Sequence, residues 1–331
     1  MKHVSTAKSP PTPAARPRPV LLAALCLGAA CVPTTARGEL VNRWSFNNAS
    51  GAAPRGTNLA DSVSGAVATV RGNGSTFNGS ALTITGTTTG NQSENDISGY
   101  VDLPNGIFSS KTNLTIEIWG SPLSFNANAR MFDFGRVATS GSGGGAPGEI
   151  VDTGTAPGGN LAPSEAVYVN FCLNSISTQR MKAWYNGVTV TEMDTALATT
   201  AGTQYHYVFT FQDGVGIHGS SGGRITWYRN GTQAATADVN FRLQNIDDVN
   251  NWLGRSNFSN DLLSHAAYNE VRIYNHVLSG AEMLANLSAG PDTIVPPPDP
   301  VDPPVPDNRW IFTTQAQSEA QAGTTFVDDI G

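Results

Sequence analysis

Carboxylates are the first groups to weigh, because glycosidic hydrolysis takes two of them, one to protonate the leaving oxygen and one to attack or to activate water. On a strand, residues two apart share a face, so such a pair would read as acids at alternate positions. Glu117 lies in the run Leu114-Thr115-Ile116-Glu117-Ile118-Trp119 and has no acidic partner at 115 or 119. No catalytic pair is expected. Gly219-Ser220-Ser221-Gly222-Gly223 matches a nucleophile elbow in letters. That elbow needs a strand before it and a helix behind it, whereas this one sits in a Gly/Ser loop ahead of a strand. Gly143, Gly145 and Gly148 have dinucleotide-fingerprint spacing, but Pro147 interrupts them and no helical pattern follows. His206, His218, His265 and His276 show no metal-ligand spacing. The chain is not expected to be an enzyme.

Aromatic side chains offer a different chemistry, since their faces stack on the apolar faces of sugar rings. Tyr100, Trp184, Tyr185 and Trp252 are the candidates if they lie exposed in loops. The alternative for each is packing in the core or at its edge. Arg130 and Asp133 fall within one strand-like run and are expected to form a structural ion pair.

The elements that would position these groups are strands. Leu114, Ile116 and Ile118 make a period-2 stripe, and Tyr205 to Phe211 alternates with aromatics on one side. In Leu40 to Phe46, Trp44 and Phe46 share one face, with Arg43 and Ser45 on the other. Asn73-Gly74, Asn78-Gly79, Asn186-Gly187 and Asn230-Gly231 are hairpin signals. Residues 137 to 160 are rich in Gly, Ser, Ala and Pro without periodicity and read as a binding loop or an insertion. Only 14% of residues are charged and 35 are Gly, a composition that suits an all-β domain with many turns. The net charge of -7, with no basic stripe, argues against a nucleic-acid partner.

The chain ends carry other signals. Lys2, Lys8, Arg16 and Arg18 precede an apolar run from Val20 to Val32, and small residues follow it up to Gly38. Residues 1–38 read as a secretory leader, too short to span a membrane. No transmembrane span is expected after its removal, and an extracellular or bacterial cell-surface location follows. Lipidation at Cys31 is the alternative. The mature chain then keeps only Cys172, so its stability must come from a core, which about 250 residues can supply. Residues 293–307 form a Pro-rich linker. After it, Asn308-Arg309-Trp310-Ile311-Phe312 restates Asn42-Arg43-Trp44-Ser45-Phe46. Residues 308–331 therefore read as the start of a second, tandem domain.

Residues 251 to 292 hold the most structured signal. Val271 and Ile273 alternate with Glu270, Arg272 and Tyr274, the pattern of a strand with one buried face. Ser279 then caps a short helix with Glu282 as capping-box partner and Leu278 and Met283 as staple, and Gly290-Pro291 stops it. Together with Asn42 to Phe46, Tyr100-Val101-Asp102-Leu103-Pro104, Leu114 to Trp119 and Arg130-Met131-Phe132-Asp133-Phe134-Gly135, this block resembles the LamG-like (laminin G-like) domains of the concanavalin A-like lectin/glucanase superfamily, as found in secreted bacterial proteins. The resemblance covers residues 39–292. It implies a two-sheet antiparallel jelly roll with one short C-terminal helix, and Trp44 and Trp119 in the core or at its edge. It implies a binding or adhesion module with polysaccharide or a surface glycan as partner. The other readings are a structural repeat of a large surface protein, or an accessory domain of a carbohydrate-active enzyme. Laminarinase-like relatives carry Glu-x-Asp-x-x-Glu on one strand, and that run is absent here. Some relatives hold a structural calcium; Asp61 is the matching acid, and Asn269 stands where Asp is usual. The alternative for Asp61 is capping of its own turn. From the leader, the mature protein is expected to begin between Arg37 and Glu39; N-terminal sequencing of secreted material that returned Met1 or a lipidated Cys31 would reject this.

Overall fold

The computed structural model describes residues 38–86, 99–136, 148–150, 167–258 and 261–296. The leader, the linker from residue 297, the repeated segment 308–331 and most of the 137–160 stretch lie outside the described residues. The strands in chain order are β1 (Leu40–Ser45), β2 (Gly51–Ala52), β3 (Asn58–Ala60), β4 (Val67–Arg71), β5 (Thr76–Phe77), β6 (Leu82–Thr85), β7 (Tyr100–Leu103), β8 (Asn113–Pro122) and β9 (Arg130–Arg136). They continue as β10 (Val167–Cys172), β11 (Thr178–Tyr185), β12 (Val188–Ala196), β13 (Tyr205–Asp213), β14 (Gly223–Arg229), β15 (Thr232–Val239), β16 (Asn250–Leu253) and β17 (His265–Tyr274). One helix, α1, covers Gly280–Ala289. Among the described residues no helix is long and apolar enough to cross a membrane.

The strands form two antiparallel sheets. One runs β15-β14-β13-β8-β17-β6-β5-β2, with β1 also paired to β17; the other runs β12-β11-β10-β9-β16-β7-β4-β3. The long β17 is shared along one edge, opposite β6 at Tyr268↔Leu82 and opposite β1 at Val271↔Trp44. Period-2 alternation sends one set of side chains from each sheet into a common core. Ile116, Ile118, Phe209, Trp227 and Val271 meet Phe132, Phe134, Val169 and Phe171 there. Phe171 bridges the sheets, with ring centroids 4.9 Å from both Phe209 and Trp227. Such pairs contribute roughly 0.5–1.5 kcal/mol beyond area burial.

Local signals explain the turns. Asn186 and Gly187 have φ 50° and 77°, and Asn230 and Gly231 have 49° and 76°. Both pairs hold the left-handed conformation that a two-residue hairpin requires, joining β11 to β12 and β14 to β15. The Asn78 side chain caps the β5–β6 turn by accepting from the amides of Ser80 and Ala81. Asn73-Gly74 differs from its expectation: β4 belongs to one sheet and β5 to the other, so it is a crossover between layers. In α1, Ser279 Oγ accepts from the Glu282 amide at 3.3 Å while Glu282 accepts from the Ser279 amide at 2.7 Å. Gly290, with φ 78°, ends it. Leu278 and Met283 pack together with Val208 and Tyr274.

The C-terminal half of β17 departs from the expected one-sided strand. Glu270 to Tyr274 is buried on both faces, because α1 lies over the side away from the core. Beneath it is a layer of charge. Glu117 receives His206 Nε2 at 2.7 Å, Tyr274 Oη at 2.9 Å and Asn286 Nδ2 of α1 at 3.2 Å, and lies 3.5 Å from Arg272 Nη1. Glu270 accepts from Arg43 Nε at 2.9 Å, from Arg272 Nε, and from the Asp292 amide at 3.0 Å. Burial pushes the Glu270 carboxyl up, but Arg43 and Arg272 outweigh it and hold it below the ordinary glutamate value. Arg272 also lies 4.4 Å over the Trp119 ring and donates to the Thr293 carbonyl at 2.9 Å. Trp44 sits in the core and Trp119 is buried under this layer. Removing one member of a buried ion pair typically costs about 3–5 kcal/mol, since its partner is left unpaired. Glu117→Ala is expected to lower stability by about that amount and Glu117→Gln by less, read from denaturant midpoints. Equal stability of E117A and wild type would show that the layer is not a structural support.

Candidate functional site

The outer face of the eight-stranded sheet is built differently. In β10, Val167, Val169 and Phe171 enter the core, so Tyr168, Asn170 and Cys172 point away from it. The register then sets the neighbours. Asp102, Trp252, Asp133, Asn170, Lys182 and Glu192 face one another in a row across β7, β16, β9, β10, β11 and β12. Gly135, Tyr168 and Trp184 form the next row. A Cβ on Gly135 would lie 2.1 Å from the Val167 carbonyl oxygen and 2.5 Å from Tyr168 Cα. Only glycine allows β10 to approach so closely here.

Trp184 is half-buried and nearly parallel to Tyr168, with centroids 5.7 Å apart and planes at 16°. Phe258 stands edge-on to both, at 5.3 and 5.9 Å. Lys182 Nζ lies 5.2 Å from the centre of the Trp184 ring. Three polar atoms on this patch, Trp184 Nε1, Tyr168 Oη and Asn170 Nδ2, have no partner among the described residues. Buried polar groups are nearly always paired, so a cluster of three is informative. Beside them, Arg130 contacts Asp133 at 3.3 Å and Asp261 at 2.9 Å and donates to Cys172 Sγ at 3.0 Å. Burial pushes the Asp133 carboxyl up to about 6 despite Arg130 and two hydrogen bonds from Asn257. It pushes the Cys172 thiol up to about 11, which makes that sulfur a poor nucleophile. The expected Arg130–Asp133 pair is present and acts as a brace.

The four aromatics singled out from sequence do not form one platform. Tyr100 and Trp252 are strand residues, 2% and 1% exposed, not loop aromatics. They pack edge-to-face at 5.7 Å with Ile150 and Leu263. Arg255 stacks on both, 4.7 and 4.3 Å from the ring centres. Tyr185 follows Trp184 on β11 and therefore points to the other side, where it stacks on Phe241 at 5.3 Å against the core edge. Trp184 alone stands partly open on the outer face. Tyr168, Asn170, Lys182 and Phe258 were missed. Period-2 alternation in Val167 to Cys172 is the signal that would put Tyr168 and Asn170 on one face, but which face is outward depends on strand pairing. A separate cavity of about 420 Å³ lies between α1, Leu40 and residues 294–296. Its walls are mostly apolar, including Leu278, Ala281, Ala285 and Val295, and so they offer few directional partners to a polar ligand.

Among the described residues no group of three or more His, Cys, Asp and Glu is placed to hold a metal. Asp61 is occupied by its own turn. Its Oδ1 accepts from the amides of Arg43, Val63 and Ser64, and its Oδ2 from Asn42 Nδ2 at 2.7 Å and Ser64 Oγ at 2.5 Å. A carboxylate has about four acceptor positions, so five donors saturate it. Asn269 lies elsewhere: its side chain donates to Gln204 at 3.1 Å and its carbonyl accepts from the Phe46 amide. Asp61 thus has its acceptor positions filled within its turn, while Asn269 Oδ1 is buried with no partner among the described residues; a calcium site wants several free oxygens. Burial pushes the Asp61 carboxyl up, but its hydrogen bonds outweigh that and hold it below its ordinary 3.8. A lowered carboxylate pKa contributes stability above the unfolded value and loses it as pH falls through the folded one. Asp61→Ala is expected to cost about 1–3 kcal/mol at neutral pH, equally in calcium and in chelator, with the difference shrinking below about pH 4. A loss confined to calcium-containing buffer in thermal melts would restore the metal reading.

The comparisons agree with this architecture. A model of the laminin G type, described as concanavalin A-like lectin/glucanases superfamily, matches residues 94–283. No curated protein sequence matches the chain. Among solved structures, domain 4 of an extracellular GH43 arabinanase from Geobacillus stearothermophilus, in complex with arabinotriose, is 15% identical with a TM-score of 0.49. That match covers 75% of this chain and 98% of the other. A Trypanosoma rangeli sialidase is 15% identical with a TM-score of 0.47, over 74% of this chain and 32% of the sialidase, about a third of its length. The binding domain of a botulinum neurotoxin DC, in complex with rat synaptotagmin II, is 11% identical with a TM-score of 0.44, over 74% and 52%. With the family model spanning more than half of the chain and two antiparallel sheets packed face to face, the chain belongs to the laminin G-type family of the concanavalin A-like lectin/glucanases superfamily.

Proposed function

We propose that this chain is a secreted, non-catalytic glycan-binding module, and that it binds polysaccharide on the outer face of its eight-stranded sheet. The observation that carries the reading is the Trp184 patch. A partly open indole stacks on Tyr168, and the indole N–H, Tyr168 Oη and Asn170 Nδ2 are buried beneath the surface with no partner among the described residues. Sugar rings present an apolar C–H face to an aromatic plane and hydroxyls to directional polar groups, and this patch supplies both. On the opposite outer face α1 covers Glu117 and Tyr274. The non-catalytic part of the reading is supported by the carboxylates themselves. Glu117 and Glu270 are fully buried in ion pairs, and Asp133 braces Arg130. Secretion rests on the basic and apolar leader before Gly38.

A structural repeat of a larger surface protein is the second reading, favoured by the restatement of Asn42 to Phe46 at Asn308 to Phe312. Affinity electrophoresis of the purified chain against a panel of polysaccharides separates the two. Glycan binding is expected, and Trp184→Ala should weaken it by about tenfold, the equivalent of one lost stacking contact. A folded chain that no polysaccharide retards would leave the structural-repeat reading. Retardation unchanged in W184A would move the site elsewhere.

A further inference from the structure

Resting on that reading, we propose that the Trp184 face selects uncharged glycan chains and discriminates against uronate-containing or sulfated ones. The argument is an inventory of cations. Recognition of a carboxylate or sulfate ester uses Arg or Lys in charge-assisted hydrogen bonds, and each of the cations on this part of the face named below is either paired with a carboxylate or buried against aromatic rings. Arg180 contacts Asp194 through both Nε and Nη2 at 2.7 Å, and Glu192 at 2.8 Å. Lys182 contacts Glu192 at 2.9 Å. Arg130, almost wholly buried, is held between Asp133 and Asp261. Arg255 is fully buried against two aromatic rings. An anionic sugar would have to break one of these pairs or bring a further negative charge beside Glu192 and Asp194.

Residues 137–166 contain no Lys, Arg or His in sequence. The net charge of -7 acts in the same direction at longer range.

The test uses pairs of polymers with one backbone and two charge states: polygalacturonate and its carboxyl-reduced form, and dextran sulfate and dextran. The purified chain is titrated with each at several salt concentrations. Uncharged members are expected to bind at least about tenfold tighter than their charged counterparts, with the gap narrowing as salt screens the repulsion. Asp194→Asn, an exposed position outside the row of Asn170 and Lys182, removes two of the three Arg180 contacts. It should raise affinity for the charged members several-fold while leaving the uncharged ones unchanged. Preferential, salt-sensitive binding of the charged members by the wild type would overturn this inference and leave the glycan-binding reading intact. Binding of neither class, with the chain folded, would remove both.

Discussion

The buried Glu117–Arg272–Glu270–Arg43 array is the constraint on which the rest of this jelly roll depends. Charges removed from water are costly, and such an array is tolerated only when each member is paired and its remaining donors are satisfied. The fold meets that demand by bringing four distant segments to one place. β8 supplies Glu117, β17 supplies Glu270 and Arg272, β1 supplies Arg43, and α1 adds Asn286. Thr115 Oγ1, next to Glu117, takes the Leu278 amide at 3.0 Å and donates to the His276 carbonyl at 2.7 Å. The entry to α1 is thereby fixed over the charges it covers. First and last strands are clamped together by polar contacts as much as by apolar ones.

This arrangement makes the two outer faces unequal. On the nine-stranded sheet α1 and the segment after it cover Glu117 and Glu270, and both carboxylates are committed to arginine, histidine or backbone amide donors. On the eight-stranded sheet no element of comparable size lies over Trp184 among the described residues. Tyr100, Trp252 and Arg255 close one half under Ile150 and Leu263. The other half keeps an indole partly open beside buried polar atoms with no partner among the described residues. Glu117, held by His206, Tyr274 and Asn286, is a structural group.

The saturated Asp61 carboxylate shows how a position matched to a metal-bearing pattern can serve another end. Three amides and two side chains close the turn after β3 onto β1. The bonds do locally what an ion would do with ligands from several loops.

Several features were set by local sequence. Hairpins at Asn186-Gly187 and Asn230-Gly231 follow from the left-handed φ that Asn and Gly tolerate, and the Ser279–Glu282 box follows from the unpaired amides of a first helical turn. The core faces of β8 and β13 follow from period-2 alternation. These signals reach over a few residues, so they survive without knowledge of neighbours. What alternation cannot say is what covers a strand's second face. Glu270, Arg272 and Tyr274 read as a solvated face, yet they are buried, because α1 and Arg43 arrive from other parts of the chain. Trp252 and Tyr185 read as equivalent to Trp184 for the same reason. Register and the covering loops send one under Arg255, one to the core edge, and leave one on the open face. A residue's type determines what it can do, and only the long-range pairing of strands decides whether a ligand can reach it.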